Sequence, residues 1–220
     1  PDEGQAEICG QMLGKENESI RRKIGIVYQQ NYLDDVMTVR ENLMCRGIIH
    51  GISKKEAKKQ CDRLTEILKL EDILDRRYKL LSGGQKRRSE IAAALMHTPE
   101  ILFLDEPTTG LDPATRKDVW EIVKTLQVNE AMTVFLTTHY MEEAAGADKI
   151  IIMDKGNIIT SGTPFELKER YAKDKVTLFY KDGQIKEKAL QSTLDAIEIV
   201  QKEKESLQGF EVIQGNMDDV

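Results

Sequence analysis

The 220 residues carry 40% hydrophobic and 32% charged side chains, the balance of a folded globular chain rather than a disordered one. A formal net charge of −6 weighs against a protein whose main task is gripping nucleic acid, and no apolar run reaches the length of a membrane span. With aromatics at 5%, aliphatic packing must dominate the core, and Cys9, Cys45 and Cys61, which lack metal-like spacing, read as idle thiols of a reducing compartment.

In chain order, residues 1–4 read as a turn and residues 5–9 as a short strand. The run KIGIVY (23–28) is a compact apolar strand that ends at the polar residues Gln29, Gln30 and Asn31. Thr38 and Glu41 fit a capping box opening a helix through Leu43 and Met44. Ser53 and Glu56 fit a second, after which Ala57, Cys61, Leu64 and Leu68 share one helical face. Residues 38–78 are thus a helical insert between strand-bearing segments. A helix is predicted over 85–96, a strand over 101–105, and a helix from the Asp112 cap and Pro113 through Trp120 to Leu126. A strand over 132–138 and a short helix in YMEEAAGAD follow. Apolar strands alternating with helices predict an α/β fold with a parallel sheet covered on both faces. KIIIMDKGNIITSG reads as a hairpin turning at Asp154, Lys155 and Gly156, and Thr163 with Glu166 caps one more helix. From about residue 173 the character changes. KVTLFYKDGQIK suggests a strand and a turn, then a charged helix over about 190–207, then Gly209 as a stop before the strand FEVI. This reads as a small subdomain of βαβ type.

ILFLDE places Asp105 at the carboxyl end of a buried strand, the edge at which ligands sit in open parallel sheets. A carboxylate there can hold magnesium through water, and Glu106 turns a second one toward the same crevice, where it can orient or deprotonate an attacking water. Taken alone, the pair reads equally well as a solvated acidic strand end. LLSGGQKRRSE (80–90) sets two glycines between a serine and a glutamine before a basic helix, a bare backbone that a phosphate can approach. Yet no G-x-x-x-x-G-K-[ST] phosphate cradle occurs among these residues. PTTGLDP follows the acidic pair directly, and His139 closes the next strand in FLTTHYMEE. A lone histidine is more often structural than catalytic, but these four motifs in this order point to function.

The constellation resembles the nucleotide-binding domain of an ATP-binding-cassette (ABC) protein over about residues 1–168. LDEPTTGLDPATRKDVW and GTPFELK are most similar to the ATPase subunits of bacterial daunorubicin-type drug exporters. The resemblance implies a P-loop-NTPase-like α/β fold with a mostly parallel sheet. It divides the chain into an ABC ATPase domain over 1–172, with a helical subdomain at about 38–80, and a C-terminal α+β accessory subdomain at 173–220 that helps dimerisation. It makes residues 81–85 the signature loop, so that Ser82, Gly83, Gly84 and Gln85 bind nucleotide, as does Asp112 of the D-loop. Asp105 becomes the Walker B aspartate and a metal ligand, Glu106 the catalytic glutamate, and His139 the switch histidine. Gln29 becomes the Q-loop glutamine, serving both metal and water.

The same resemblance implies ATP and Mg2+ as ligands, a homodimer or paired cassette, and an integral-membrane permease docked on the helical insert. It implies a cytoplasmic place at the inner face of the membrane and no nucleic-acid partner. In such proteins two cassettes pair head to tail and each signature loop caps the ATP cradled by the other. Gly83 and Gly84 then let backbone N–H groups approach the γ-phosphate, Ser82 adds a hydroxyl, and the helix after them aims its positive end at the anion. Lys86, Arg87 and Arg88 are expected to deepen the positive potential, their outward members being solvated. The P-loop and the first strands are expected upstream of Pro1, so the stretch reads as a fragment cut at both ends and inactive alone. Two other readings stay open: a non-transport ABC ATPase of translation or repair, and a non-catalytic partner cassette. The compact insert between Gln29 and Leu81 weighs against the coiled-coil repair types. Glu106, His139 and the signature loop weigh against the partner cassette.

Overall fold

Residues 3–190, 192–213 and Gly215 are described by a computed structural model, in which the chain divides into two units, Pro1–Thr137 and Thr138–Val220. The first unit opens with a two-residue hairpin, β1 (Glu7–Ile8) and β2 (Gln11–Met12), where a longer strand over 5–9 is expected from the sequence. The strand stops because Cys9 and Gly10 both take positive φ, 50° and 75°, and reverse the chain. Pro1 and Asp2 of the anticipated turn lie outside the described residues. A helix not anticipated, α1 (Asn17–Lys23), follows. Local side-chain bonds fix the turn before it: the Met12 N–H donates to the Glu16 carboxylate and the Gly14 N–H to Asn17 Oδ1.

Three parallel strands, β3 (Ile24–Val27), β4 (Ile101–Asp105) and β5 (Thr133–Thr137), stand side by side in that order. Register places Val27 beside Leu104 and Leu104 beside Leu136. These residues face two helices, α4 (Gly83–Leu95) and α5 (Pro113–Asn129), and Leu102, Leu104, Ile91, Leu95, Val119 and Val123 form a dry core there. At Gly25 the helix comes so close that a Cβ would lie 2.6 Å from the Ala94 carbonyl oxygen, which only glycine permits.

The opposite sheet face corrects the expectation of two covered faces. Ile26 is 36% exposed and Phe135 52%, with the Phe103 ring 5.4 Å from that of Phe135. The strands are apolar on both sides, as a doubly covered strand requires, but this side keeps Ile26 and Phe135 exposed.

The insert consists of α2 (Val39–Ile49), α3 (Lys54–Ile67) and a 3-10 turn at Tyr78–Leu80. The Thr38 box forms in both directions: its hydroxyl oxygen accepts the Glu41 N–H, and the Glu41 carboxylate accepts the Thr38 N–H. Ser53 likewise accepts the Glu56 N–H, although Glu56 takes the serine hydroxyl rather than its N–H. Leu43, Ala57, Cys61, Leu64 and Leu68 are fully buried together with Ile91 and Leu95, which ties the insert to α4.

The second unit contains α6 (Met141–Ala144) and an antiparallel pair, β6 (Ile150–Asp154) and β7 (Asn157–Gly162), turning where expected, with Lys155 and Gly156 both at positive φ. The capped helix α7 (Pro164–Tyr171) follows. The last part is not of βαβ type. Its strands β8 (Lys175–Tyr180), β9 (Ile185–Ala189) and β10 (Leu207–Ile213) are all antiparallel in the order β10-β8-β9, with α8 (Asp195–Glu203) between β9 and β10. The unanticipated β9 is the highly charged IKEKA, joined to β8 by a turn through Gly183 at φ 85°. The helix is shorter than 190–207, and Gln191 of that span lies outside the described residues. Gly209 lies inside β10 at a register shift, acting as a bulge rather than a stop.

Candidate active site

Three strand ends build one polar cluster. Gln29 stands two residues beyond β3, Asp105 ends β4, Glu106 follows it, and Thr137 ends β5. Parallel pairing brings all three ends to the same sheet edge, as expected for a ligand crevice. Gln29 Nε2 donates to Glu106 Oε2 at 3.0 Å, and the Thr109 hydroxyl donates to the same oxygen at 3.0 Å. Thr137 donates its hydroxyl to Asp105 Oδ1 at 2.6 Å, and its oxygen accepts the Glu106 N–H at 3.0 Å. Asp105 is exposed and Glu106 half-buried, so both face solvent while their orientation is set by neighbours. Glu106 has φ 42°, a left-handed conformation that costs an L side chain about 1–3 kcal/mol and is found at functional sites.

The signature turn is a helix cap. Ser82 is the N-cap of α4: its hydroxyl oxygen accepts the Gln85 N–H at 3.4 Å, and Gln85 Oε1 accepts the Ser82 N–H at 3.0 Å. The two glycines have separate reasons. A Cβ on Gly83 would meet Leu111 at 3.3 Å, whereas one on Gly84 would overlap Thr115 Cγ2 at 2.2 Å. Gly84 is therefore required for helix packing, whatever else its backbone does.

Thr115 links this turn to Asp112, whose carboxylate caps α5. It accepts the Ala114 and Thr115 N–H groups at 3.1 Å and the Thr115 hydroxyl at 2.5 Å. Those bonds, the hydroxyl first, hold the Asp112 carboxyl below the usual aspartate range. Ser82, Gly84, Gln85, Arg88, Thr115 and Asp118 line a small polar hollow of about 150 Å³.

The basic run divides: Lys86 and Arg88 stay part-exposed, whereas Arg87 does not. Lys86 lies over the Tyr78 ring at 5.0 Å, Arg88 donates to the carbonyls of Leu68 and Lys69, and Arg87 is buried. His139 belongs to the second unit, where it is exposed and its ring lies 4.1 Å from that of Tyr140. Next to it Thr138 donates to the Glu143 carboxylate and accepts the Tyr140 N–H. The structure thus brings Gln29, Asp105 and Glu106 together, and joins Ser82, Gly84 and Asp112 through Thr115. Sequence reasoning missed Thr109, Thr137 and Glu90, and it missed that Arg87 is buried. Only the threonine pairs that end PTT and FLTT carried a visible signal.

Known proteins resemble this chain over most of its length. Residues 1–109 match the ABC transporter family model. The daunorubicin/doxorubicin resistance ATP-binding protein DrrA of Streptomyces peucetius is 40% identical over 190 residues, 86% of this chain and 57% of that protein. The linearmycin resistance ATP-binding protein LnrL of Bacillus subtilis is 42% identical over 80% of this chain and 56% of its own length. The chain therefore spans a little over half the length of these relatives. A dimeric structure of MJ0796, a bacterial ABC transporter cassette, superposes with a TM-score of 0.66 at 30% identity, covering 74% of each chain. The strand-end carboxylates, the capped glycine turn and these likenesses lead to one conclusion: the chain belongs to the ABC transporter family, as part of its ATP-binding cassette.

Proposed function

We propose that the full polypeptide is the ATP-hydrolysing subunit of a small-molecule exporter, acting as one of a pair of cassettes beneath a separate membrane permease. The observation that carries this reading is the Gln29–Glu106 bond beside Asp105, which joins two strand ends at a ligand-binding sheet edge. Glu106 orients and deprotonates the attacking water, held for that task by Gln29 and Thr109. Asp105 and Gln29 hold magnesium; their oxygen donors fit a cation that takes one or two carboxylates together with water and phosphate oxygens. When bound, magnesium neutralises charge on the phosphates. Ser82, Gly83 and Gly84 offer donors to the nucleotide of the paired cassette, and His139 contacts the γ-phosphate.

The resistance function named for the DrrA and LnrL relatives supports export. Residues 173–220 form an accessory subdomain that assists pairing. No helix among the described residues is long and apolar enough to cross a membrane, and attachment to its cytoplasmic face comes through the permease. A groove of about 560 Å³ lined by Val36, Met37, Met44, Cys45, Ile48 and Ile49, with Glu41 among them, offers a mostly apolar seat for a cytoplasmic permease helix. Ile48→Asp should abolish co-purification with the permease while leaving nucleotide binding unchanged.

These residues contain no P-loop, so the 220-residue chain alone should bind Mg-ATP only weakly; tight binding by calorimetry would contradict this. The decisive experiment is Glu106→Gln in the full-length protein. Turnover should fall by about 100-fold or more, the scale of a lost general base. ATP-bound dimers should accumulate, because the phosphate contacts remain. Normal turnover would remove Glu106 from its role.

A further inference from the structure

The helix that begins at the signature turn buries two charges. Arg87 is 5% exposed and Glu90 0%. Three residues apart, they share one face of α4, and both reach the same stretch of chain, residues 28–33, which carries Gln29. The Arg87 guanidinium donates through Nη1 to the Tyr28 carbonyl at 2.7 Å and through Nη2 to the Gln29 carbonyl at 3.0 Å. Glu90 Oε1 accepts the backbone N–H groups of Tyr32 at 3.0 Å and Leu33 at 3.3 Å, and the Tyr78 hydroxyl at 2.6 Å. A side chain that can only donate takes the carbonyls, and one that only accepts takes the amides.

Residues 28–33 belong to no helix or strand, so their backbone groups have no ladder to satisfy them. Arg87 and Glu90 supply that partner from a helix some 60 residues later in the chain. Apolar contacts of Ile91 and Leu95 already seat α4 on the sheet, and buried charges are costly unless hydrogen-bonded. Burial pushes the Arg87 guanidinium below its usual value, opposed by Glu90, Tyr78, Tyr32 and Asp105 around it.

The grip ends on the residue that matters. Gln29, held at its carbonyl by Arg87, holds Glu106 by its side chain. Two residues before Arg87 on the same rigid helix is Gln85 of the signature turn. We propose that Arg87 and Glu90 are positioning residues that fix Gln29 against Glu106 and tie that placement to the signature turn. Engagement of the turn with the paired cassette's nucleotide is then felt at this cassette's own Glu106. The inference deepens the reading above and rests on it for the roles of Gln29 and Glu106.

The test uses full-length protein with Arg87→Lys, Gln29→Ala, and both. Lysine keeps the charge but loses the fork that spans two carbonyls. ATPase kcat of Arg87→Lys should fall about tenfold, the scale of one charge-assisted hydrogen bond, with KM for ATP within about twofold. In the Gln29→Ala background the same change should cause no further loss, because Arg87 acts through Gln29. A double variant whose loss is the product of the two single losses, or an undiminished kcat in Arg87→Lys, overturns the proposal. Glu90→Met, close in length but with no acceptor oxygen, supplies a readout independent of hydrolysis. Its Tyr32 and Leu33 amides should exchange hydrogen about tenfold faster, the scale of one net hydrogen bond, while those of Ile91 to Leu95 stay unchanged. Unchanged exchange at Tyr32 and Leu33 also overturns it. Wild-type turnover in Gln29→Ala alone would instead overturn the role given to Gln29 above. The exchange rates would still decide whether the helix holds the segment.

Discussion

The hydroxyl of Thr137 donates to Oδ1 of Asp105 across 2.6 Å, and the same oxygen atom accepts the Glu106 N–H, so it holds the Asp105 carboxylate and the Glu106 backbone together at the end of β4. Thr137→Val keeps the shape and removes the hydroxyl. Asp105 then loses this donor, while the Glu106 N–H still has the Thr137 carbonyl at 3.2 Å. Turnover of the full-length protein should fall about tenfold, and stability by about 1 kcal/mol, the net worth of one hydrogen bond. Half-saturation by magnesium should rise in parallel. An unaltered magnesium titration would argue that Asp105 needs no such anchor.

Gly84 is tested by steric relief. Gly84→Ala puts a methyl group where Thr115 Cγ2 stands 2.2 Å away, an overlap that should cost about 1–3 kcal/mol. Thr115→Ser removes that one carbon and keeps the hydroxyl that donates to Asp112. The double variant should regain most of the lost stability in urea unfolding. If it does not, the glycine is required for something other than this contact.

Glu106 separates stability from activity. Glycine is ordinarily less stable than alanine at a given position, but at φ 42° the order should reverse. Glu106→Gly should be more stable than Glu106→Ala by about 1 kcal/mol, since both lose the same side-chain bonds and only alanine bears the left-handed penalty. Both should be inactive. Equal unfolding midpoints would mean that the backbone there relaxes freely.

Acidification should weaken the first unit through two histidines. His50 and His97 stack at 3.9 Å with ring planes 2° apart, and His97 Nε2 lies 2.9 Å from the Ile24 carbonyl. Burial foremost, with Arg46 adding to it, holds both rings below the usual value of 6.5. The unfolded chain therefore takes up these protons first. The stability contributed by the neutral rings is complete above that value and lost as pH falls through the lowered ones. The urea midpoint should drop from about pH 6.5 downward, the range in which an ordinary histidine titrates. His50→Phe, which keeps an aromatic stack, should show a shallower drop. An identical slope would exclude His50 as a contributor.

Much of the candidate site was legible because it is written locally. Asp105 at the end of ILFLD, the Ser82–Gln85 cap, the Asp112–Pro113 helix start and the Thr38–Glu41 box each depend on residues within five positions of one another, and all form. What escaped depends on distance. In QKRRSE nothing distinguishes buried Arg87 from Lys86 and Arg88, because its partners are two backbone carbonyls 58 and 59 positions earlier. Glu90 reads as a surface acid for the same reason. Thr137 was passed over because a threonine ending a strand is ordinary until its neighbour in the sheet proves to be Asp105. The strand β9 was hidden by its charges: only Ile185 and Ala189 break the run, and pairing with β8 determines it.

The bare flank of the parallel sheet has a practical consequence for anyone handling the 220-residue protein. Ile26, Phe103 and Phe135 lie side by side on it like a patch of adhesive, and water gains by being squeezed out between two such patches. Concentrated preparations should therefore clump reversibly, more so in sulfate than in dilute buffer. An aspartate in place of Phe135 should keep them dispersed.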